Sequence, residues 1–472
     1  MLRNWTEFLS PDDIEQIHDT SMKLLANVGM RFPQHEAIEI FKGHGCKMDG
    51  CTVYLSEKQV MEALETAPSQ FTIHARNPDK SVTVGDGEPV FAPGYGAPFV
   101  VDAEVGKREA TLQDYENLVQ LAHALPNQDL SGHLLVGPGD VPAQTAHLCM
   151  LHANMVHSDK PFIGSSEGAT GARHTMEMSA ILFDGQPQHP VTIGLINSLS
   201  PLSYSAEMIE ALIIYARARQ PVVIAAMALA GSTAPITLAG LLAQKNAELL
   251  AGVALTQIIS PGTPVIYGST STNLHMKTGS PSIGGPELAL VVTATAQLAR
   301  HYGLPGRGGG ALTDANSPDA QSGFESMMGL LTAVNSGIDF VLHAGGIVSS
   351  YLAFSYEKFV LDDEMCGMVR RYRQGFTVTP ETLAYDLIAK VGSAGNFMME
   401  RHTVKRCRTE FWHPQVASRV DLAAWHDGGR PDAIERARKR WQHLLAGHQN
   451  PPLDDATARQ LRSFVEEHAH DA

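Results

Sequence analysis

Short apolar segments recur through the middle of the chain at intervals of about 28 to 42 residues, and helix-like stretches rich in Ala and Leu fill the intervals. The segments begin at or near prolines, and they comprise residues 133–136, 161–164, 191–195, 222–226, 264–267, 304–308 and 339–343. Near-continuous apolar strands that alternate with helices are typical of parallel sheets buried on both faces. Seven such units, with an expected eighth, predict an α/β fold of the TIM-type (β/α)8 barrel class.

The rival fold is a doubly wound open sheet, which shares the alternation of strands and helices. Sheets of that kind bind dinucleotides through a GxGxxG loop after a strand, and no segment here is followed by that motif. The run Gly308, Gly309, Gly310 has the wrong spacing for it. The sequence therefore favours the closed barrel.

Helical signals flank the barrel region on both sides. Ser10 and Pro11 start a capped helix, and a capping box at Ser56 opens a second one. Further helical segments are expected at residues 383–391, 436–445 and 454–467. We therefore expect a helical N-terminal cap at residues 1–85, the barrel at residues 86–375, and a helical C-terminal extension packed on the barrel at residues 376–472.

Charge and cysteine content limit the partners and the location of the chain. Its 35 Lys and Arg against 50 Asp and Glu give a formal net charge of −15, which disfavours nucleic acid and anionic membranes. Its five cysteines form no CxxC pair, which is typical of a reduced, cytoplasmic protein. Residues 220–244 are uncharged and long enough to span a bilayer, but Gly231 and Pro235 interrupt them, so a buried strand, loop and helix are expected.

Barrel enzymes carry their reacting groups on the loops that leave the carboxyl ends of the strands. The loop at residues 268–279 is rich in hydroxyl and amide donors, which suit a polar ligand, although a capped surface loop explains its composition equally well. Glycines at residues 308–310 let a bulky ligand approach the backbone.

The HExxH motif of zinc enzymes is absent from the sequence. His147, His152 and His157 are spaced by five residues and share no helix face, and His468 and His470 near the C-terminus are expected to have no specific role. No metal site is predicted.

Several longer stretches carry a family resemblance. They include GAPFVVD at residues 96–102, ALPN at 124–127, MALAGSTAPITLAG at 227–240, MKTG at 276–279, and residues 304–319 and 362–368. On these stretches the chain resembles the trimethylamine methyltransferase family of corrinoid-dependent methyltransferases. Pyrrolysine, which members acting on trimethylamine use, is absent, so the resemblance is to the branch without it, of the glycine betaine:corrinoid methyltransferase type.

This resemblance implies an α/β barrel enzyme that takes a methyl group from a methylated amine. The acceptor is Co(I) cobalamin, carried by a separate small corrinoid protein. The segment FVLHAGGIVSS at residues 340–350 is similar to the betaine type, which favours glycine betaine as substrate and dimethylglycine as product. Proline betaine and carnitine are the alternative substrates, and a homo-oligomer is expected.

The chemistry of a quaternary amine agrees with the missing catalytic motifs. A quaternary nitrogen is already cationic, so the amine leaves neutral without a general acid, and Co(I) is nucleophilic enough to need no base. The protein then has to orient one N–CH3 bond and exclude water.

Candidate site residues follow from the resemblance and from the needs of a betaine. Aromatic faces attract a trimethylammonium group, and the candidates for this cage are Tyr351, Phe354, Tyr356, Tyr95 and Phe99, with core packing as the alternative for each. His343 ends its strand at the barrel mouth and is the candidate catalytic residue and carboxylate donor, with Asn273, Lys277 and Arg307 as further donors. Candidate cobalamin contacts are Ser269, Thr270, Gly308, Gly309 and Gly310.

Two other functions are compatible with such a barrel. A non-catalytic binder of quaternary amines would keep the pocket without transferring a methyl group. An aldolase or lyase would need a Schiff-base lysine within a strand, and the predicted strands contain none.

Overall fold

The computed structural model describes residues 5–102 and 106–469. Its centre is a sheet of short parallel strands, and the carboxyl ends of all these strands lie at the same end of the sheet. Across the described residues this sheet has seven hydrogen-bonded strands: β1 (Val90–Phe91), β2 (Phe162–Ile163), β3 (Thr192–Asn197), β4 (Val222–Ala226), β5 (Val265–Ser269), β6 (Gly306–Gly309) and β7 (Phe340–Leu342). Their order around the sheet is β1, β7, β6, β5, β4, β3, β2, and every neighbouring pair is parallel.

The gap between β1 and β2 is bridged by an extended segment, residues 129–132. The backbone N–H of Asp129 donates to the carbonyl of Phe91 at 2.8 Å, and the N–H of Ser131 donates to the carbonyl of Pro161 at 3.0 Å. This segment takes the eighth strand position, so the sheet closes into a barrel.

The predicted barrel is confirmed, but one predicted strand is wrong. Residues 133–136 form no strand, and of these only Val136 pairs, in an isolated bridge with Ala97. The strand position before them belongs to residues 129–132, and β1 is the eighth strand that the sequence left without a location. Residues 129–132 read Asp-Leu-Ser-Gly, so they lack the apolar run by which the other strands were recognised.

Three helices precede the barrel: α1 (Pro11–Asn27), α2 (His35–Gly43) and α3 (Glu57–Leu64). Ser10 caps α1 and Ser56 caps α3, each through a capping box, as the sequence predicts. A small antiparallel sheet of Met30–Arg31, Thr52–Tyr54 and Lys47–Asp49 lies between these helices in the chain.

One helix follows each of the eight strand positions in the described part of the chain. In chain order these are α4 (Leu112–Ala124), α5 (Ala143–His157), α6 (Gly168–Leu182), α7 (Ala206–Arg217), α8 (Leu238–Ile259), α9 (Pro286–His301), α10 (Ala320–Ser336) and α11 (Tyr356–Gln374). The strand, loop and helix predicted for residues 220–244 are present as β4, the short strand Leu229–Ala230 and the start of α8. None of the helices seen here has both the length and the apolar character that crossing a bilayer requires.

The inside of the barrel has its own apolar core, formed by inward side chains that include Ile193, Leu195, Val223, Ile266 and Phe340. A hairpin of Phe71–Ile73 and Val82–Val84 joins this core at the amino ends of the strands. In the described part of the chain, the hairpin therefore closes the amino end of the barrel, and the loops at the carboxyl ends are where we look for a ligand site.

Loops at the carboxyl ends form two small sheets of their own. The first contains Ile347–Val348, Ala353–Phe354, Phe99–Asp102 and Gly106–Glu109, and the second contains Leu229–Ala230, Thr272–His275 and Ser280–Pro281. Both consist of chain that leaves the barrel strands, so they bring the loops after different strands together.

The chain ends in helices α12 (Pro380–Leu383), α13 (Tyr385–Val391), α14 (Arg401–Arg406), α15 (Leu422–Asp427), α16 (Ala433–Ala446) and α17 (Asp455–Ala469). Helix α16 packs on α11 and α4, and α17 packs on α5 and α6. Residues 376–427 expose many large apolar side chains, among them Phe376, Tyr385, Met398, Met399, Phe411 and Leu422. The domain bounds at residues 85 and 375 stay predictions.

Candidate active site

The floor of the barrel mouth is built from β6 and from the loop after β7. Arg307 lies in β6, and its side chain points into the barrel, since its Cδ and Val223 both lie close to the space that a Cβ on Gly268 would take. His343 directly follows β7, and Tyr351 lies eight residues further along the same loop. The three side chains meet beneath the mouth.

Arg307 carries a buried charge that the described part of the chain does not pair. The residue is 2% exposed, and its Nε and Nη1 atoms have no hydrogen-bond partner among the described residues. Burial lowers the pKa of Arg307 to about 10, so the guanidinium remains protonated at neutral pH. Burying an unpaired charge costs several kcal/mol, so Arg307 lowers the free energy of unfolding of the protein.

His343 is held in one tautomer beside Arg307. The backbone N–H of Tyr95 donates to Nδ1 of His343 at 3.1 Å, which leaves the proton on Nε2. Burial lowers the pKa of His343 well below its usual range, and the charge of Arg307 lowers it further. The imidazole is therefore neutral, with Nε2–H as a free donor.

Tyr351 packs its ring against the imidazole of His343, with 5.0 Å between the ring centroids. Its hydroxyl is buried and has no hydrogen-bond partner by geometry in the described chain. Burial raises the pKa of Tyr351 to about 12, while Arg307 and the hydroxyl of Thr270 act in the opposite direction. The phenol is therefore neutral and adds an aromatic wall to the floor.

The loop that carries these residues is strained. His343, Ser349, Ser350 and Tyr351 have φ values of 65°, 54°, 53° and 76°. Non-glycine residues in this region cost roughly 1–3 kcal/mol each, and they persist where surrounding contacts fix them. Such strain is concentrated at functional sites, and here it fixes the His343 and Tyr351 side chains.

Asp314 ties three mouth loops together. Its carboxylate accepts hydrogen bonds from the N–H of Ile283 at 2.9 Å, the N–H of Gly284 at 3.1 Å and the hydroxyl of Ser350 at 2.7 Å. This acid therefore orders the loops, and it holds the strained segment at Ser350.

A buried ion pair holds the same segment from behind. Nζ of Lys358 lies 2.6 Å from the carboxylate of Asp362 and also donates to the carbonyl of Ala311 at 2.9 Å. Asp362 accepts the N–H of Gly346 at 2.8 Å. The pair therefore joins the loop after β6 to the loop after β7.

The loops around the mouth expose polar and apolar side chains to solvent. Glu167 after β2 and Asn197 at the end of β3 are exposed, and partial desolvation raises the pKa of Glu167. Exposed apolar side chains lie on loops after β3, β4, β5 and β7; we call them the apolar rim, and they are Leu199, Met227, Ile236, Met276 and Leu352.

With Arg307, the structure brings together five residues predicted for the site. His343, Tyr351 and Thr270 interact on the floor, and Tyr95 joins them through its backbone N–H. The Tyr95 side chain packs against the interior core, and burial together with the charge of Glu167 raises its pKa. Ser269, at the end of β5, is buried and uses its hydroxyl to accept the N–H of Ser271.

The other predicted aromatic residues lie outside this floor. Phe354 is fully buried in the core between barrel and helices. Its ring packs edge-on against that of Phe359, with 5.2 Å between the ring centroids. Tyr356 donates its hydroxyl to Asp114 at 2.9 Å and packs on Trp441. The ring of Phe99, in one of the loop sheets, lies 3.6 Å from Nζ of Lys107.

The remaining predicted residues lie in strands and at the surface. Asn273 is half-buried in the strand Thr272–His275, and Lys277 is exposed just beyond it. The glycine run is buried: a Cβ on Gly308 would meet Val292 and Ile338, and a Cβ on Gly309 would meet Leu312. A Cβ on Gly310 would meet Val341.

The sequence predicts Arg307 only as a further donor, and it predicts no role for Glu167. The available signal was an arginine inside a strand of glycines, because such a charge must face either solvent or a ligand. Glu167 carried no comparable signal, since a single acid after a strand is common. His133 was also missed; both its ring nitrogens are buried without a partner in the described chain, and burial lowers its pKa to about 3.

Fold and site together define an α/β barrel protein with a buried, unpaired cation beneath loops that expose apolar side chains. The family model described as trimethylamine methyltransferase (MTTB) matches residues 3–472. The chain belongs to this family.

Individual relatives extend over nearly the whole chain. Glycine betaine methyltransferase of Desulfitobacterium hafniense (strain Y51) is 45% identical over 460 residues, which cover 97% of this chain and 96% of that protein. Proline betaine:corrinoid methyltransferase of Eubacterium limosum is 33% identical over 491 residues, covering 98% of each. The crystal structure of the Methanosarcina barkeri monomethylamine methyltransferase (MtmB) matches with a TM-score of 0.51 at 13% identity, over 94% of this chain and 96% of that one, which shows the shared fold alone.

Removing the buried charge of Arg307 and removing that of Lys358 are expected to change the stability of the protein differently. Arg307→Met removes a charge without a partner, so thermal stability is expected to stay level or rise. Lys358→Met leaves Asp362 buried and unpaired, so a loss of about 3–5 kcal/mol is expected. Thermal and urea unfolding of the two variants measure this difference, and an equal loss in Arg307→Met would contradict the unpaired state of its guanidinium.

Proposed function

We propose that the protein transfers a methyl group from a carboxylate-bearing quaternary amine, glycine betaine in the first place, to Co(I) cobalamin on a corrinoid protein. Dimethylglycine is the product. The observation that carries this proposal is the buried, unpaired guanidinium of Arg307, which a carboxylate complements and a simple cation does not.

The substrate lies with its carboxylate down and its ammonium up. The carboxylate accepts hydrogen bonds from the Arg307 guanidinium and from Nε2–H of His343, and charge-assisted bonds of this kind are about twice as strong as neutral ones. The trimethylammonium group then faces the open mouth, where its methyl groups are accessible.

Aromatic rings and one acid hold the cationic end. The ring of Tyr351 beside His343 and the ring of Tyr95 are the proposed cage, each contributing about 0.5–2 kcal/mol to cation binding. Glu167, whose charge acts on Tyr95, adds a negative charge at the rim. Phe354, Tyr356 and Phe99 support this arrangement from the surrounding core.

The side chains of the mouth orient the substrate and perform no proton transfer. The amine departs neutral from a quaternary nitrogen, so no acid is required, and the neutral His343 acts as a hydrogen-bond donor. Cobalamin, when bound, supplies the nucleophile that accepts the methyl group. Orientation of one N–CH3 bond and exclusion of water are therefore the contributions of this chain.

The apolar rim is the proposed docking surface for the corrinoid protein. Its side chains surround the route by which a methyl acceptor must reach the substrate, and exposed apolar surface of this kind is typical of interaction sites. The space beside Gly308, Gly309 and Gly310 is filled by core side chains, so the contact with the corrin ring is proposed at the rim, above Ser269 and Thr270.

A homo-oligomer remains part of the proposal. Residues 376–427 form an arm of short helices with many exposed apolar side chains, and contact with another copy of the chain would cover them.

The range of substrates tests the proposed reaction. We expect methylcobalamin to form anaerobically from Co(I) cobalamin and glycine betaine, with proline betaine and carnitine as possible further donors. Choline and trimethylamine lack the carboxylate that Arg307 requires, so no product is expected from them. The visible spectrum of the cobalamin follows the reaction. Betaine binding without any methyl transfer would identify a non-catalytic binder instead.

Removing the floor charge tests the orientation. Arg307→Met is expected to weaken glycine betaine binding by about 2–5 kcal/mol, because the carboxylate is then buried without its partner. Tyr351→Ala is expected to cost about 0.5–2 kcal/mol, one cation–π contact. Calorimetric titration measures both, with Arg419→Met at the surface as the control. Unchanged affinity in Arg307→Met would place the substrate elsewhere.

A charge on the apolar rim tests the docking surface. Met276→Asp puts an acid on a side chain that is 65% exposed, so folding and betaine affinity are expected to stay unchanged. The KM for the corrinoid protein is expected to rise, since the interface would bury the new charge. Steady-state kinetics with varied corrinoid protein measure it, with Val28→Asp, at a side chain that is 54% exposed after α1, as the control.

A further inference from the structure

Three imidazoles and a carboxylate meet on the outside of the barrel, where α17 lies against α5 and α6. His174 and Glu177 are one helical turn apart on α6, and His468 lies in the last turn of α17. A ring nitrogen of His174, a ring nitrogen of His468 and a carboxylate oxygen of Glu177 all lie within 4.8 Å of one another. His147 on α5 adjoins them, with its Nε2 2.9 Å from Nδ1 of His174.

Hydrogen bonds around this cluster fix which nitrogen of each ring is free. The backbone of Gln144 raises the pKa of His147, which favours a proton on its Nδ1 and leaves its Nε2 as an acceptor. Nδ1–H of His174 then donates to that Nε2, and Nδ1–H of His468 donates to the carbonyl of Phe464 at 2.8 Å. His174 and His468 are therefore both left with an Nε2 lone pair.

We propose that His174, Glu177 and His468 bind a divalent transition-metal ion of the zinc class. Two imidazoles and one carboxylate form a common protein ligand set for Zn²⁺, with water as the fourth ligand. Histidine ligands almost always donate their other ring N–H to a carbonyl, carboxylate or other acceptor, and both histidines here already do so. His147 is a positioning residue in this site, because it acts through His174.

The ligand atoms need only a small adjustment to reach the metal. Metal–ligand distances of about 2.0–2.2 Å place tetrahedral ligand atoms roughly 3.4 Å apart, so binding draws the side chains together by about an ångström. Glu177 is exposed and His468 lies in the last turn of its helix, so rotation of their side chains can supply this movement.

The bound ion would attach α17 to the barrel. Leu461, Phe464 and Val465 of α17 already pack on Leu148 and Met178 of the barrel helices. The metal would add a link between residues 174 and 468, at the far end of that contact. Such a link closes a long loop of chain and so restricts the unfolded state. The ligands lie on the outer helices rather than on the loops of the mouth, so this site is distinct from the proposed methyl-transfer site.

Metal titration of the full-length protein tests this site. After removal of metal with EDTA, ZnCl2 is expected to bind with one equivalent per chain in competition with a chromophoric chelator, and CoCl2 is expected to give the visible absorption of a tetrahedral site. His174→Ala and His468→Ala are expected to lose this equivalent. His147→Gln is expected to weaken zinc affinity 10- to 100-fold, and His426→Ala, an exposed histidine beside Asp427, is the matched control.

Thermal unfolding supplies a second readout that does not depend on methyl transfer. Zinc is expected to raise the midpoint of the wild-type protein and of His426→Ala, but not that of His468→Ala, whose fold is checked by circular dichroism. The proposal is overturned if the zinc equivalent persists in a His174→Ala/His468→Ala double variant. It is equally overturned if the wild-type protein binds no zinc in the micromolar range.

Discussion

The mouth of this barrel is organised around one uncompensated charge, the guanidinium of Arg307. A protein interior tolerates such a group only when other features of the fold supply the missing stability. The neighbours of Arg307 add no second charge: His343 is held as a neutral imidazole and Tyr351 as a neutral phenol. The floor is therefore electrostatically complementary to a small anion, and the proposed binding of a carboxylate depends on this property.

The acids and the lysine near the mouth serve its shape. Asp314 and the Lys358–Asp362 pair form hydrogen bonds with backbone groups of the loops after β5, β6 and β7. These bonds hold three consecutive left-handed residues, Ser349 to Tyr351, in place. The proposed substrate loses its methyl group from a quaternary nitrogen and departs as a neutral amine, so it needs no catalytic acid–base pair, and Asp314, Lys358 and Asp362 preorganise the site instead.

Much of the fold could be predicted from the sequence because barrel strands are apolar on both faces and recur regularly. The segment 129–132 could not, since it closes the barrel through backbone hydrogen bonds and is mostly polar. Within the site, His343 could be predicted from its position at a strand end. Phe354 could not be distinguished from Tyr351, because the left-handed residues between His343 and Tyr351 break any periodicity that would tell inward from outward side chains.

Arg307 also bears on how the reaction ends. Demethylation changes only the nitrogen end of a betaine, so the proposed substrate and product present the same carboxylate to the same guanidinium. The deepest contact of the pocket therefore cannot tell one from the other, and turnover has to discriminate through the aromatic end alone. Competition by accumulated dimethylglycine is the natural result of anchoring a zwitterion by its unreactive half.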